Sequence, residues 1–149
     1  MKTDIPTLLD LPEGDSFGGR MPTRAYPDDA GFDLYVSKQV TVGAGQFADV
    51  PSGVHVLLPE GTWGMLTGRS STIRNRGLLV IQGVIDCGYQ GELFSAVWNL
   101  TDRPVTVEAG DRIAQLIIIK NETALHQLVL SAELEPTLRG TSGFGSSGN

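Results

Sequence analysis

The sequence predicts an all-β barrel or sandwich that carries one short helix, and three observations predict it. Short runs of β-forming residues alternate with turn residues at intervals of about 8 to 12 positions, the spacing typical of small antiparallel sheets. Nineteen glycines and eight prolines punctuate the chain, which favours strands and turns over long helices. Only residues 70–77 carry the end signals of a helix.

Five strand-forming runs follow one another, each bounded by turn residues. They are residues 39–42 (QVTV), 53–59 (GVHVLLP), 92–100 (ELFSAVWNL), 104–110 (PVTVEAG) and 111–120 (DRIAQLIIIK). In the helical segment (SSTIRNRG), Ser70 or Ser71 is the predicted cap and Gly77 the predicted end.

A weak repeat links two of these regions. The letters VTVGAG at residues 40–45 return as VTVEAG at residues 105–110. We interpret them as one hairpin pattern used twice. The alternative is a pair of equivalent hairpins at corresponding places in a barrel.

Composition excludes several classes of protein. The 149 residues suit one domain, and 17 acidic against 11 basic residues give a net charge of −6 without a long basic run, so a nucleic-acid polymer is not expected as a partner. One cysteine allows no internal disulfide, and two separated histidines do not predict a structural zinc site. No signal peptide or membrane span is predicted, and we expect a cytoplasmic protein, in the host cell if the source is viral.

The last residues contain a motif that does not fit its usual context. Residues 143–148 (GFGSSG) match the G-x-G-x-x-G letters of a dinucleotide site, but neither the strand before nor the helix after is predicted. A P-loop is also excluded, because Ser146 and Ser147 stand where a lysine is needed. Arg139 and Phe144 could bind a phosphate and stack on a base. The alternative is a solvated Gly/Ser tail.

Four internal stretches could carry chemistry, and each has a structural alternative. Arg69, Ser70 and Ser71 form either an anion site or a capped helix with a surface arginine. Asp86 is either a general base fixed in a tight turn or a turn aspartate that bonds its own backbone. The acidic stretch 28–34 (DDAGFDL) is either near a hard cation or a solvated loop. Gln115 interrupts an apolar strand as a surface residue or a ligand donor.

Taken together and in order, these stretches resemble the five motifs of the trimeric dUTP diphosphatase (dUTPase) family, over residues 22–149. The motifs read AGFDL, RSS, GVIDCGYQGEL, AGDRIAQ and RGTSGFGSSG. The resemblance implies a distorted β-barrel of jelly-roll (β-clip) type and a homotrimer with shared active sites. It also implies three regions: a variable segment (1–20), the barrel domain (21–135) and a flexible C-terminal lid (136–149).

The resemblance also implies a substrate, a reaction and a metal. The substrate is dUTP, hydrolysed to dUMP and pyrophosphate by Mg²⁺-assisted attack of water on the α-phosphorus. This reaction limits uracil in DNA and supplies dUMP for dTMP synthesis. Asp86 matches the acid that activates the water, and Asp33 the carboxylate that lies near the metal, directly or through water. The triphosphate itself holds most of the Mg²⁺.

Further residues receive binding roles by the same resemblance. The phosphate-binding positions are Arg69, Ser70, Ser71 and Gln115. Tyr89 matches the ring that packs under the deoxyribose and rejects a 2′-hydroxyl. The uracil-binding stretch comprises Gln82, Gly83, Val84 and Ile85, with Phe94 nearby, and the lid residues are Arg139, Phe144 and Gly145. Gln82 stands where many members carry asparagine, and the connection across residues 77–86 is short.

Two alternatives to this function come from related classes. A dCTP deaminase shares the fold but needs a glutamate where this chain has Ala96, and alanine cannot shuttle protons. A regulatory binding protein of the same fold is the other alternative, because residues 1–20 match no motif and could bind an unidentified protein partner.

Overall fold

The structure, a computed structural model, describes residues 7–8 and 19–144. Eleven short strands account for most of its regular structure. They are β1 Thr7–Leu8, β2 Gly31–Tyr35, β3 Val40–Val42, β4 Phe47–Pro51, β5 Val56–Leu57, β6 Thr62–Gly68, β7 Leu78–Val80, β8 Gly83–Ile85, β9 Phe94–Asn99, β10 Val105–Val107 and β11 Arg112–Lys120. Helix α1 spans Ser70–Arg76, and a 3₁₀ turn spans Glu122–Leu125.

The strands form four antiparallel sheets around one interior. The largest has the strand order β2-β11-β6-β8 and the second has the order β4-β9-β7, while β3 pairs with β10 and β1 with β5. Strand β11 is central, because it pairs with β2 on one side and with β6 on the other. The predicted all-β class with one short helix is confirmed, as a distorted barrel of jelly-roll type.

Buried aliphatic side chains from facing sheets form one core. Leu66 of β6 and Val97 of β9 are at most 1% exposed. Burying one such side chain stabilises the fold by about 1.5–3 kcal/mol. Gly64 of β6 is needed for close packing here, because a Cβ atom at this position would lie 2.9 Å from Leu116 Cδ1. The core holds the sheets in a fixed relation and thereby positions the loops at their ends.

Four of the five predicted runs form the expected strands, and one is much shorter. Of residues 53–59 only Val56–Leu57 is a strand, because Val54 and Gly53 bond the chain near Leu93 instead. Strands β2, β4, β6, β7 and β8 lie outside the predicted runs. Their glycines, acids and short lengths obscure the alternation that marks a strand in sequence.

The helix is where the sequence predicts it, but its cap differs. Arg69 is the N-cap and makes no side-chain capping bond, so the prediction that Ser70 or Ser71 caps the helix was wrong: both lie inside the first turn. Gly77 ends the helix as predicted, at φ 65°, and its N–H donates to Ile73 O. No helix in the described part of the chain has the length and apolar character needed to cross a bilayer.

The two copies of the sequence repeat are partners in one sheet. Strand β3 pairs antiparallel with β10, with Thr41 opposite Thr106, and their hydroxyl oxygens are 2.8 Å apart. Neither copy forms a hairpin on its own, so both interpretations of the repeat as hairpins were wrong. The repeat reflects two strands that share one environment.

An ion pair fixes the end of α1 to the turn before β11. Arg76 Nη1 donates to Asp111 Oδ2 at 2.7 Å, and the Glu108 N–H donates to the same oxygen at 2.9 Å. The hydrogen bond from Arg76 lowers the pKa of the Asp111 carboxyl below 3.8, and the bond from Glu108 adds to this, against a partial burial that raises it.

We expect Asp111→Asn to destabilise the protein at pH 7 by about 1 kcal/mol, since it removes a partly exposed charge-assisted pair. Because the pKa of Asp111 is lower in the folded state, its contribution is complete above 3.8 and is lost as the pH falls through the folded pKa. Urea denaturation at fixed protein concentration measures the difference at pH 7 and at about pH 2.5, where the Asp111 carboxyl is largely protonated in the unfolded chain. A difference that stays constant down to strongly acidic pH would contradict the assignment.

Candidate active site

A polar cluster lies at the end of the four-stranded sheet, where β6 runs into α1. Gln115 of β11 is opposite Asp33 of β2 on one side and Thr67 of β6 on the other. Arg69, which follows β6, places Nε 2.9 Å from Asp33 Oδ1. Gln115 Nε2 donates to Gly68 O at 3.0 Å. Three strands thus bring together residues that are far apart in the sequence, and we call Asp33, Arg69, Arg112 and Gln115 the Arg69 cluster.

The Arg69 cluster carries an excess of positive charge. Arg112 Nη1 lies 3.4 Å from Asp33 Oδ2, so one carboxylate sits between two guanidinium groups. The Asp33 side chain is 13% exposed, whereas those of Arg69 and Arg112 are 30% and 43% exposed. The arginines therefore present donors to solvent while the acid stays inside. This arrangement suits a multiply charged anion such as a phosphate chain.

Ser70 and Ser71 lie next to this cluster, in the first turn of α1. Ser70 is exposed and Ser71 is half-buried. Their hydroxyls are close in sequence to the Arg69 guanidinium, and the structure places all five predicted phosphate and metal residues at one end of the sheet. Arg112 is not among the residues that the sequence predicted for the site, and only its pairing opposite Tyr35 reveals that it faces Asp33.

A second feature, which we call the slot, is a cavity of about 270 Å³ on the connection between β7 and β9. The lining residues are Val84, Ile85, Asp86, Tyr89, Glu92 and Phe94. Four of the predicted binding residues and the predicted base therefore share one cavity.

Tyr89 stands in the slot in a fixed position. Its N–H donates to Asp86 O at 3.0 Å, and its hydroxyl donates to Glu92 O at 3.0 Å. A Cβ atom on Gly91 would lie 2.3 Å from the Tyr89 hydroxyl oxygen, so only glycine leaves room for this ring. The chain around Cys87 and Gly88 forms the turn that the sequence predicts.

The Asp86 side chain is exposed at the mouth of the slot. Within residues 19–144 its carboxylate accepts no hydrogen bond from its own turn, because the Tyr89 N–H goes to the main-chain oxygen instead. The alternative of a turn aspartate bonded to its own backbone is therefore not what the structure shows. A free, solvent-accessible carboxylate beside a cavity can accept a proton from water.

Two other predicted residues of this region lie beside the slot and not in its lining. Gln82 is exposed, and its Nε2 donates to Met65 Sδ at 2.9 Å. Gly83 pairs with Leu66 of β6. Gln82 and Gly83 lie at the short connection between β7 of the second sheet and β8 of the first.

The predicted lid residues Arg139 and Phe144 do not lie on either feature. The Arg139 Nε donates to Ser142 O at 2.9 Å within its own turn, and the Phe144 ring is fully exposed. All of residues 126–138 are exposed as well, including Leu128, Val129, Leu130, Leu134 and Leu138. Gly145 lies outside the described residues. Residues 126–138, which we call the C-terminal arm, therefore expose apolar side chains that no other described part of the chain covers.

The Arg69 cluster and the slot lie at opposite ends of β6. Ile85, next to Asp86, pairs with Gly64, and Arg69 follows Gly64 by five positions. At about 3.3 Å per residue along a strand, Arg69 and Asp86 are separated by roughly 17–20 Å. One copy of the chain therefore does not bring its predicted base to its own anion-binding cluster.

The described residues contain no group of three or more metal-ligating side chains. Asp33 has one oxygen facing Arg69 and the other facing Arg112, which leaves it suited to contact a cation through water and unsuited to hold one alone. A magnesium ion whose main ligands are phosphate oxygens fits this site, because such an ion needs few protein ligands.

A larger cavity, of about 550 Å³, lies elsewhere, on the outer face of β4, β9 and β7. Its lining includes Phe47, Ile81 and Trp98 and none of the predicted site residues. Its apolar character gives no basis for binding a charged substrate.

Comparisons with known proteins agree on one family. The dUTPase family model matches residues 18–148. The deoxyuridine 5′-triphosphate nucleotidohydrolase of Mycolicibacterium gilvum is 42% identical over 134 residues, which cover 86% of this chain and 87% of that protein.

Solved structures give the same result. The dUTPase of Staphylococcus bacteriophage 80alpha with dUpNHpp superposes with a TM-score of 0.88 at 30% identity, over 99% of this chain and 100% of that one. A mutant dUTPase of the S. aureus phage phi11, described with a structural Mg(II) ion, has a TM-score of 0.69 at 25% identity, over 91% and 97% of the two chains.

Proposed function

Because the chain belongs to the dUTPase family, we propose that it hydrolyses dUTP to dUMP and pyrophosphate. One observation carries the proposal most directly: among residues 19–144 the Asp86 carboxylate has no partner, and it stands beside a slot that also contains Tyr89 and Phe94. The slot opens to solvent, and its volume of about 270 Å³ suits a nucleoside. In a cell this activity limits uracil in DNA and supplies dUMP for dTMP synthesis.

The Arg69 cluster supplies the triphosphate site of this reaction. Arg69 and the Ser70 and Ser71 hydroxyls bind phosphate oxygens, and Gln115 donates from its amide. Asp33 keeps the Arg69 guanidinium oriented through their 2.9 Å contact. Charge supports these roles, since the exposed donors are cationic and the only carboxylate of the cluster is mostly buried.

The slot supplies the general base and the binding sites for uracil and the deoxyribose. Main-chain groups of Gly83, Val84 and Ile85 face the uracil, Gln82 flanks them, and Phe94 closes the far wall. Asp86 accepts a proton from water as the water oxygen bonds to the α-phosphorus. The bond from that phosphorus to the bridging oxygen breaks, and pyrophosphate leaves with its electron pair.

A homotrimer with shared active sites explains how the Arg69 cluster and the slot can act together although they lie far apart within one chain. Within one chain about 17–20 Å separates Asp86 from Arg69, whereas a base must lie within hydrogen-bond reach of the attacking water. A second copy can bring its slot to the Arg69 cluster of the first. The exposed arm of residues 126–138 can carry the lid of a third copy to the same place.

Mg²⁺ is the cofactor that this site suits. When bound to the triphosphate it neutralises negative charge and orients the phosphates. Asp33 would contact the ion through water. The chain's own residues then align the water, hold the phosphates and exclude solvent.

Pyrophosphate release from dUTP, dTTP, dCTP and UTP, with and without Mg²⁺, tests the proposed function. We expect release from dUTP alone and only with the ion. No release from dUTP by the full chain with Mg²⁺ would overturn the proposal. Ammonia release from dCTP tests the deaminase alternative, and we expect none, because Ala96 lies opposite Asp49 in the middle of the second sheet and has no acid–base group.

Removal of the lid is expected to spare the fold and to impair catalysis. A variant that ends at Leu138 loses Arg139 and Phe144, neither of which packs on the core. We expect kcat/KM for dUTP to fall by about 100-fold, the effect of losing one charged contact to the transition state and solvent exclusion. Circular dichroism and gel filtration report the fold and the assembly. An unfolded or monomeric product would contradict the prediction.

Replacement of the slot tyrosine is expected to relax sugar selection. Tyr89→Ala removes the ring that the Glu92 carbonyl holds in place, and the freed space admits a 2′-hydroxyl. We expect the ratio of kcat/KM for dUTP to that for UTP to fall by about tenfold or more. Steady-state rates on both nucleotides measure it, and an unchanged ratio would argue against the sugar-packing role.

A further inference from the structure

Residues 90–93 follow Tyr89, and we call them the slot arm; a segment that the proposed function does not use holds them in place. This segment, residues 52–55, we call the anchor. Ser52 Oγ donates to Leu93 O at 2.6 Å, and the Leu93 N–H donates to Val54 O at 2.9 Å. The Gly53 N–H donates to Glu92 Oε1 at 2.7 Å. The anchor therefore fixes the main chain at the far end of the arm, on the side that leads into β9.

His55 extends the anchor toward the sugar site. Its Nδ1 lies 2.8 Å from Gln90 O. Because a carbonyl oxygen only accepts, Nδ1 carries the hydrogen of this bond. His55 is half-buried beside β5, whereas Gln90 is exposed, so the bond ties an exposed turn to the barrel wall. Of the contacts between the anchor and the arm, this one is nearest in sequence to Tyr89.

The position of the Tyr89 ring depends on the main chain that the anchor holds. The hydroxyl of Tyr89 donates to Glu92 O, and the ring lies against Gly91, where no Cβ atom would fit. A shift of residues 90–92 therefore moves the acceptor of the hydroxyl and the surface against which the ring packs. His55 at one end and Ser52 with Gly53 at the other prevent that shift.

We propose that His55 is a positioning residue for sugar selection: its Nδ1–H bond to Gln90 O fixes the arm that sets the Tyr89 ring against the deoxyribose. This inference rests on the proposed function and assigns a role to a side chain outside the slot. His55 touches no reacting atom, and it acts only through the placement of Tyr89.

Three substitutions at one position separate the hydrogen bond from mere packing. His55→Asn keeps a hydrogen-bond donor, because its amide N–H lies close to the position of Nδ1. His55→Gln moves the donor toward the position of Nε2. His55→Ala removes the donor. We expect His55→Ala and His55→Gln to lower the dUTP to UTP selectivity about tenfold, mainly through KM, with kcat changed less. His55→Asn should retain selectivity within about twofold of the wild-type value. The control is Asp102→Asn, in a surface turn, where the side chain is 97% exposed.

A double substitution tests whether His55 acts through Tyr89. In the Tyr89→Ala background, His55→Ala should cause no further loss of selectivity, because the ring that it positions is already absent. Equal effects of His55→Ala in both backgrounds would overturn the inference, and so would loss of selectivity in His55→Asn equal to that in His55→Ala. If His55→Ala does not fold, the comparison of His55→Asn with His55→Gln decides the question. If the wild-type protein leaves dUTP intact, the proposed function itself is refuted. If the wild type is active and the His55 variants keep its dUTP to UTP selectivity, only this inference is refuted.

Discussion

Asp86→Asn is expected to reduce dUTP turnover by about 1,000-fold while leaving nucleotide binding close to normal. General-base groups contribute about 100- to 10,000-fold to such reactions. Asparagine has the shape of aspartate but cannot take a proton from water. The main-chain bond from the Tyr89 N–H to Asp86 O does not depend on the side chain, so the turn should keep its form.

Two measurements separate the lost step from lost binding. Steady-state pyrophosphate release gives kcat, and titration with dUpNHpp, the compound with which a structure of the phage 80alpha dUTPase was solved, gives the affinity for a substrate analogue. Asp102→Asn is a suitable control, because the side chain of Asp102 is 97% exposed in a surface turn. Turnover of Asp86→Asn at the wild-type rate would exclude Asp86 as the base.

Mixing two inactive variants is expected to restore activity if copies of the chain share their sites. Arg69→Ala lacks the phosphate-binding guanidinium and Asp86→Asn lacks the base, so each variant alone is nearly inactive. In mixed trimers, some sites combine the intact Arg69 of one copy with the intact Asp86 of another. With random assembly about a quarter of the sites are complete, and we expect about a quarter of wild-type activity.

This experiment depends directly on the separation of Asp86 and Arg69 that is estimated along β6. Coexpression of the two variants, with each variant expressed alone as the control, measures the recovery. If both groups acted within one chain, no mixture would exceed its components. Arg69→Ala also leaves Asp33 with Arg112 as its remaining cationic neighbour, so the melting temperature of this variant should be checked before rates are compared.

The sequence was informative wherever the chemistry depends on order along the chain. The stretch RSS, the aspartate of GVIDCGY and the Gly-rich tail could be identified because each motif is local, and the strand runs 92–100 and 111–120 alternate clearly enough to predict β9 and β11. The cap of α1 could not be predicted, since Arg69 occupies a position that serine usually fills. The glycine-rich β6 also escaped, although it joins both halves of the candidate site.

Contacts between distant residues were beyond the sequence. Nothing local to Arg112 indicates that it faces Asp33, and nothing local to His55 indicates that it bonds Gln90, because both contacts arise from strand register and loop closure. The repeated VTV segments illustrate the same limit: their likeness is visible in the letters, whereas their pairing is visible only in space.

The amino-acid sequence by itself determined the class of fold, the family and the candidate reactive side chains, because these follow from local pattern and motif order. The tertiary structure alone decided which of those side chains meet. It gathers Asp33, Arg69 and Gln115 at one end of β6 and holds Asp86 at the other. The physical reason is that antiparallel register fixes distances across a sheet, and a rigid strand keeps two groups apart unless a second copy of the chain brings them together.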